Sequence, residues 1–203
     1  QAALLEAMQE KLGSVGGVVH KLDEPFFILA TQNPLEQEGT YPLPEAQQDR
    51  FLFKIFVGYP EAQDEVEIVR RVAEKLFGVI GSVCDGAQLL KMQDTVRDIP
   101  VADAVIDYAN RFVRSTRIGQ PGVPDFINNW LSWGAGPRAT INLVIAAKCL
   151  SALAGNPTPS CDDVARAALP VMRHRIAMNY TGKAEGLTTD AVIKKLLQTV
   201  PKY

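Results

Sequence analysis

The sequence predicts a partial α/β piece over residues 1–58 followed by an all-helical domain over residues 61–203. Three observations carry that prediction. Two short apolar, aromatic-rich runs, Phe26–Ala30 and Phe51–Val57, have the length and composition of buried strands. The first stops abruptly at Thr31-Gln32-Asn33-Pro34, and Asn-Pro is a turn signal that places polar side chains at a strand's C-terminal end. After Gly58-Tyr59-Pro60 the pattern changes to apolar residues three and four apart, and it stays helical almost to the end.

Composition narrows the function classes. A chain of 203 residues that is 47% hydrophobic can bury a sizeable core, as one large domain or two small ones. A net charge of −2 leaves no global electrostatic footprint for nucleic acid. Cys84, Cys149 and Cys161 are an odd number, widely spaced and without a C-x-x-C pair. That points to reduced thiols in a reducing, cytoplasmic compartment. No apolar run reaches the roughly eighteen residues of a membrane-spanning helix, and no signal peptide is visible.

Taken in order, Leu4, Leu5, Met8 and Leu12 fall at helical spacing from the first turn, with neither an initiator Met nor a capping residue before them. The chain therefore reads as a piece cut from something longer. Val15–Leu22, with Gly16-Gly17 inside it, suits a hairpin or a bent strand pair. Beyond the two apolar runs, Glu61–Phe77 sets Ile68, Val69, Val72 and Leu76 on one helical face. Asp85 is a plausible cap for a second helix holding Leu89, Leu90, Met92 and Val96. Val101, Val105, Tyr108, Ala109, Phe112 and Val113 predict a third. Residues 117–137 are rich in Gly and Pro and read as loop, yet they carry Phe126, Ile127, Trp130, Leu131 and Trp133. These rings either plug the gap between the two parts or form a docking patch for a partner. Pro137 fits the first turn of a helix running to about Ala154 and ending at Gly155-Asn156. Ser160 with Asp163 resembles a capping box for a helix reaching about Leu169, and residues 187–200 close the chain as an amphipathic helix.

The blocks ATQNP (30–34), EQEGTYPLPEAQ (36–47) and DRF (49–51), in that order and spacing, resemble the MoxR family of AAA+ ATPases. Gly134-Ala135-Gly136-Pro137-Arg138-Ala139 is similar to the same family's G-A-S-P-R-A block, with Gly136 where Ser is usual. The resemblance implies a P-loop NTPase-type core lacking its N-terminal half, residues 1–58, followed by the AAA+ helical lid, residues 61–203. It implies that Asn33 is sensor 1, placing the attacking water and touching the γ-phosphate. It implies that Arg50 is the arginine finger reaching into a neighbouring subunit's nucleotide, and that Arg138 is sensor 2, which binds nucleotide phosphate. It further implies ATP and Mg2+ in the parent protein, a homo-oligomeric ring that is a hexamer by family likeness, and chaperone-like maturation of client proteins, including those with von Willebrand factor A domains.

Elementary chemistry agrees with parts of this. Arg138 on a first helical turn would sit near the positive end of the helix dipole, where a guanidinium can hold a phosphate through two parallel bonds. The bland alternatives are a solvated Arg138, a local ion pair between Asp49 and Arg50, and an Asn33 that caps its own turn. Leu22-Asp23-Glu24 superficially resembles a Walker B pair, but His20-Lys21 precede it and Pro25 follows, so a solvated turn is the better reading. In the family pattern QAALLEAMQE lies just after the true Walker B. Glu36 and Glu38 read as solvated loop charge, and His174 between Arg173 and Arg175 as a solvated or inter-domain cation cluster. Nowhere does G-x-x-x-x-G-K-[ST] occur, so these 203 residues alone are expected neither to hold ATP tightly nor to hydrolyse it. The rival from another class is a non-enzymatic helical interaction module.

Overall fold

Residues 6–8, 10–32, 43–76 and 78–203 are described by the structure, a computed structural model. Asn33, Glu36 and Glu38 lie outside the described residues. Residues 6–8 and 10 are helical, and Lys11, with φ 54°, separates them from strand β1 (Leu12–Val15). β1 pairs antiparallel with β2 (Val18–Lys21), Leu12 opposite Lys21 and Val15 opposite Val18. Gly16 and Gly17 at the tip have φ of 60° and 82°, which a two-residue hairpin of the primed type requires. The Asp23-Glu24 pair follows an exposed strand, and Glu24 is ion-paired with Lys11. That is a surface turn.

The two apolar runs do not form strands. Residues 26–30 carry no ladder, and Phe27 and Leu29 face outward. Residues 51–57 likewise form no ladder with any strand among the described residues. The physical reason is that a strand is stabilised by its neighbour: without one its backbone groups must find other partners. Here the carbonyls of Asp49, Phe51, Leu52 and Lys54 meet side chains of the helical part, and the Lys54 amide meets the Pro170 carbonyl.

That part follows as α1 (Glu45–Gln48), α2 (Ala62–Ala73), α3 (Gly86–Asp98), α4 (Asp103–Arg114), α5 (Asp125–Trp130), β3 (Leu131–Trp133), α6 (Pro137–Leu153), α7 (Cys161–Met172), β4 (Ala177–Met178), α8 (Tyr180–Ala184) and α9 (Thr189–Thr199). Local chemistry sets many of the boundaries. Asp85 and Ser160 each close a full capping box, and Pro137 opens α6 at a position where its missing N–H costs nothing. Gly155, with φ 73°, follows the end of α6.

The core lies among α4, α6, α7 and α9. Tyr108, Phe112, Leu143, Val164, Val171, Met172, Ile193 and Leu196 are its largest buried members. α2 buries none of its residues, and the Ile68, Val69 and Val72 face stays open. The 61–203 region is not purely helical. β3 and β4 form a short antiparallel ladder, Leu131 opposite Met178 and Trp133 opposite Ala177, with an irregularity between Leu131 and Trp133. The aromatic stretch expected to plug the gap between the two parts packs within the helical part. Phe126 and Trp130 stack 5.4 Å apart beneath the Lys195 ammonium of α9, Ile127 and Leu131 are buried, and Trp133 remains exposed.

Candidate functional site

The site is built outward from the C-terminus of α7. A helix leaves its last carbonyls without internal donors and carries a partial negative charge there. In α7 the Pro170 carbonyl accepts from the Lys54 amide at 2.9 Å, and the Val171 carbonyl accepts from the Arg175 guanidinium. Three consecutive side chains then grip residues 49–56. Arg173 makes a two-pronged pair with Asp190 at 3.0 and 2.9 Å, donates to the Lys54 carbonyl at 3.1 Å, and lies 4.5 Å from the centre of the Phe56 ring. His174 Nε2 is 3.0 Å from the Phe51 carbonyl. Arg175 donates to Asp49 Oδ1 at 3.0 Å and to the carbonyls of Asp49, Phe51 and Leu52.

Burial sets the chemistry of this clamp. The Arg175 side chain has no exposed surface, so its charge is viable because Asp49 and the four carbonyls surround it. Burial pushes His174 down from 6.5 to about 4, aided by the charges of Arg175 and Lys54, while the bond to Phe51 and the Asp49 charge oppose it. His174 is therefore neutral near pH 7. With the Phe51 carbonyl as acceptor, Nε2 carries the proton and Nδ1, buried and without a partner among the described residues, is bare.

Arg138 reaches the same cluster from the opposite side. It occupies the first turn of α6, as expected, and pairs with Asp49 Oδ2. Gly134 explains how the preceding loop arrives there. A Cβ on Gly134 would meet the Thr116 carbonyl oxygen at 2.2 Å, so only glycine permits the approach. Thr116 Oγ1 then accepts from the Ala135 amide at 2.9 Å, and Arg117 Nε donates to the Ala135 carbonyl at 3.2 Å. A shallow groove lined by Arg117, Ile118, Trp133 and residues 134–137 opens alongside.

The structure thus joins the DRF block to the Arg138 block through Asp49. The local Asp49–Arg50 pair does not form; Asp49 serves Arg138 and Arg175 instead. Arg50 is half-buried at the turn after α1, and its Nε is buried without a partner among the described residues. Neither Asp49, Arg173 nor Arg175 was singled out by sequence as a site residue. The signal was a run of cations directly after a helix end, where orphan carbonyls need donors. Arg138 is partly exposed, with a side-chain exposure of 45%, and one of its nitrogens is engaged, so it retains donors for a phosphate. For Mg2+ the fit is absent: among the described residues no group of three or more His, Cys, Asp or Glu is placed to hold a metal ion.

Helical elements thus hold the segment that precedes them, with an arginine on the first turn of a helix where the two meet. The model of the ATPase family associated with various cellular activities (AAA) matches residues 1–53, and that of the AAA lid domain matches residues 127–196. The chain is similar to the chaperone MoxR1 of Mycobacterium tuberculosis, with 39% identity over 98% of this chain and 53% of that protein. It is similar also to the uncharacterized protein YeaC of Bacillus subtilis, with 35% identity over 98% of this chain and 60% of that one. The crystal structure of a candidate ATPase from Cytophaga hutchinsonii superposes with a TM-score of 0.91 and 36% identity, over 98% of this chain and 61% of that one. The chain belongs to the MoxR family of AAA+ ATPases. It spans roughly half to three-fifths of the length of these relatives.

Proposed function

We propose that this chain contributes the phosphate-reading and subunit-coupling half of a MoxR-type ATPase that remodels or matures partner proteins. Residues 1–58 belong to the nucleotide-binding core and 61–203 to its lid. Asn33 acts as sensor 1, Arg138 contacts nucleotide phosphate as sensor 2, and Arg50 serves as the finger for the neighbouring subunit in a ring, with six subunits as the expected number. The observation that carries this reading is the Arg138–Asp49 pair, which places the two motif blocks in one cluster at the start of α6. ATP is the substrate and Mg2+ the metal of the whole protein. A partner carrying a von Willebrand factor A domain and a cytoplasmic setting are the expected context.

The division of labour follows from charge. Arg138 offers a guanidinium and a positive helix end to an anion arriving from its own subunit's side. Arg50 is held at the turn that follows α1; a trans-acting arginine contributes on the order of 10³–10⁵ to phosphoryl transfer. The 203 residues contain no phosphate-binding P-loop sequence, so on their own they should bind ATP weakly and not turn it over.

Two substitutions in the full-length protein test the reading. Arg50→Ala should abolish turnover and leave nucleotide binding nearly intact. Arg138→Ala should weaken ATP more than adenosine. If neither substitution alters turnover or affinity, the assignments fail and the non-enzymatic helical module takes their place.

A further inference from the structure

Asp49 stands next to Arg50 in the chain and next to Arg138 in space. One carboxylate oxygen holds Arg138 and the other holds Arg175 at 3.0 Å. Arg175 in turn accepts no solvent and takes the main-chain carbonyls of Asp49, at 2.8 Å, and of Phe51. Those are the residues on either side of Arg50. The turn carrying Arg50 has no strand ladder; the Arg50 and Phe51 amides donate back to Gln47 and Gln48, and the Arg175 bonds hold the carbonyls on either side of Arg50.

We propose that Asp49 is a positioning residue that couples Arg138 to Arg50. The proposal rests on the reading of Arg138 as a phosphate contact and Arg50 as the trans-acting arginine. The route is continuous: Arg138 to the Asp49 carboxylate, Asp49 to Arg175, and Arg175 to the backbone flanking Arg50. Electrostatics makes it responsive. One carboxylate is shared between two guanidiniums, so a phosphate that draws on Arg138 competes with Asp49 and shifts the carboxylate's hold toward Arg175. Occupancy of a subunit's own nucleotide site thereby alters the seating of the arginine it presents to its neighbour. Coupling of this kind is usually worth 5- to 150-fold in affinity or rate.

Removing the charge has two effects of opposite sign, and that split distinguishes coupling from simple support. Asp49→Asn keeps the side-chain shape and can still accept from Arg175, but the negative charge competing with phosphate is gone. ATP should bind about three- to tenfold more tightly, since an anion no longer contends with a carboxylate for Arg138. Turnover should fall about ten- to a hundredfold, because misplacing a reacting group by about an ångström costs that much.

The experiment measures fluorescent mant-ATP affinity and steady-state ATPase rates in the full-length ATPase, for Asp49→Asn alongside Arg50→Ala and Arg138→Ala. Tighter ATP with slower turnover in Asp49→Asn supports the coupling. Weaker ATP together with slower turnover means Asp49 is mere scaffolding and overturns it. So does wild-type behaviour of Asp49→Asn while the two arginine variants are impaired. Silent arginine variants overturn the parent reading and the coupling with it. Should Asp49→Asn fail to fold by circular dichroism, Arg175→Lys decides. It keeps the charge but loses the fork, and it must slow turnover with ATP affinity unchanged; wild-type turnover overturns the coupling.

Discussion

An alanine at position 134 would place its Cβ 2.2 Å from the Thr116 carbonyl oxygen, 2.6 Å from the carbonyl carbon and 2.9 Å from Arg117 Cα. All three are backbone atoms, so no side chain can swing aside, and either the 115–117 turn or the loop into α6 must move. Forced overpacking of this kind costs about 1–3 kcal/mol. The displacement also stretches the buried bond from the Ala135 amide to Thr116 Oγ1 and the one from Arg117 to the Ala135 carbonyl. Each is worth about 1 kcal/mol net. Gly134→Ala should therefore lose about 3–5 kcal/mol, read in urea as a midpoint lower by roughly 1–3 M at an ordinary slope. Position 136 supplies the control inside the same block. Gly136 has φ −82° and ψ 179°, which any residue adopts, and nothing among the described residues lies within 4 Å of a Cβ there. Gly136→Ser, which restores the family's usual residue at an N-cap, should gain a few tenths of a kcal/mol. A Gly134→Ala variant within about 0.5 kcal/mol of the parent, or equal losses at the two positions, would refute the close-approach argument.

Two further outcomes are expected. His174 is held near 4 in the folded chain against 6.5 unfolded, so the unfolded chain binds more protons between those values. Stability should then rise with pH through that window and be lost as pH falls from about 6.5 toward 4. The full gap corresponds to roughly 3 kcal/mol, reduced to about 1–2 kcal/mol by partial solvent screening. Urea midpoints from pH 4.5 to 7.5 check it, and an undiminished slope in His174→Gln would assign the effect elsewhere. Ser160→Ala should cost about 1 kcal/mol by removing the acceptor for the Asp163 amide. Hydrogen exchange at that amide should quicken, and unchanged exchange would count against the cap.

How much was legible in the sequence depended on how local the cause was. Helix starts at Asp85, Pro137 and Ser160 are set by residues within one turn, and the sequence reading found them. The Gly16-Gly17 hairpin was legible for the same reason. Phe51–Val57 does not form the expected strand because the length and composition of an apolar run say nothing about which groups take the backbone bonds; here Arg173, His174 and Arg175 take carbonyls of this segment. The β3–β4 ladder was missed because two or three residues carry no periodicity. The alternative in which Asp49 pairs with its sequence neighbour Arg50 does not hold: its partners lie 89 and 126 residues away, beyond any local pattern. Arg138 was placed correctly on its helix because Pro137 marks the first turn.

The clamp also imposes an order on synthesis. Asp49 and Arg175 are 126 residues apart. At about 5–20 residues per second, Arg175 is made roughly 6–25 s after Asp49. Until then the 49–56 segment exists without the side chains that hold its carbonyls, and Phe56 lacks the Arg173 guanidinium over its ring. The nascent chain thus completes its grip on Arg50's surroundings only after α1 to α7 have been made.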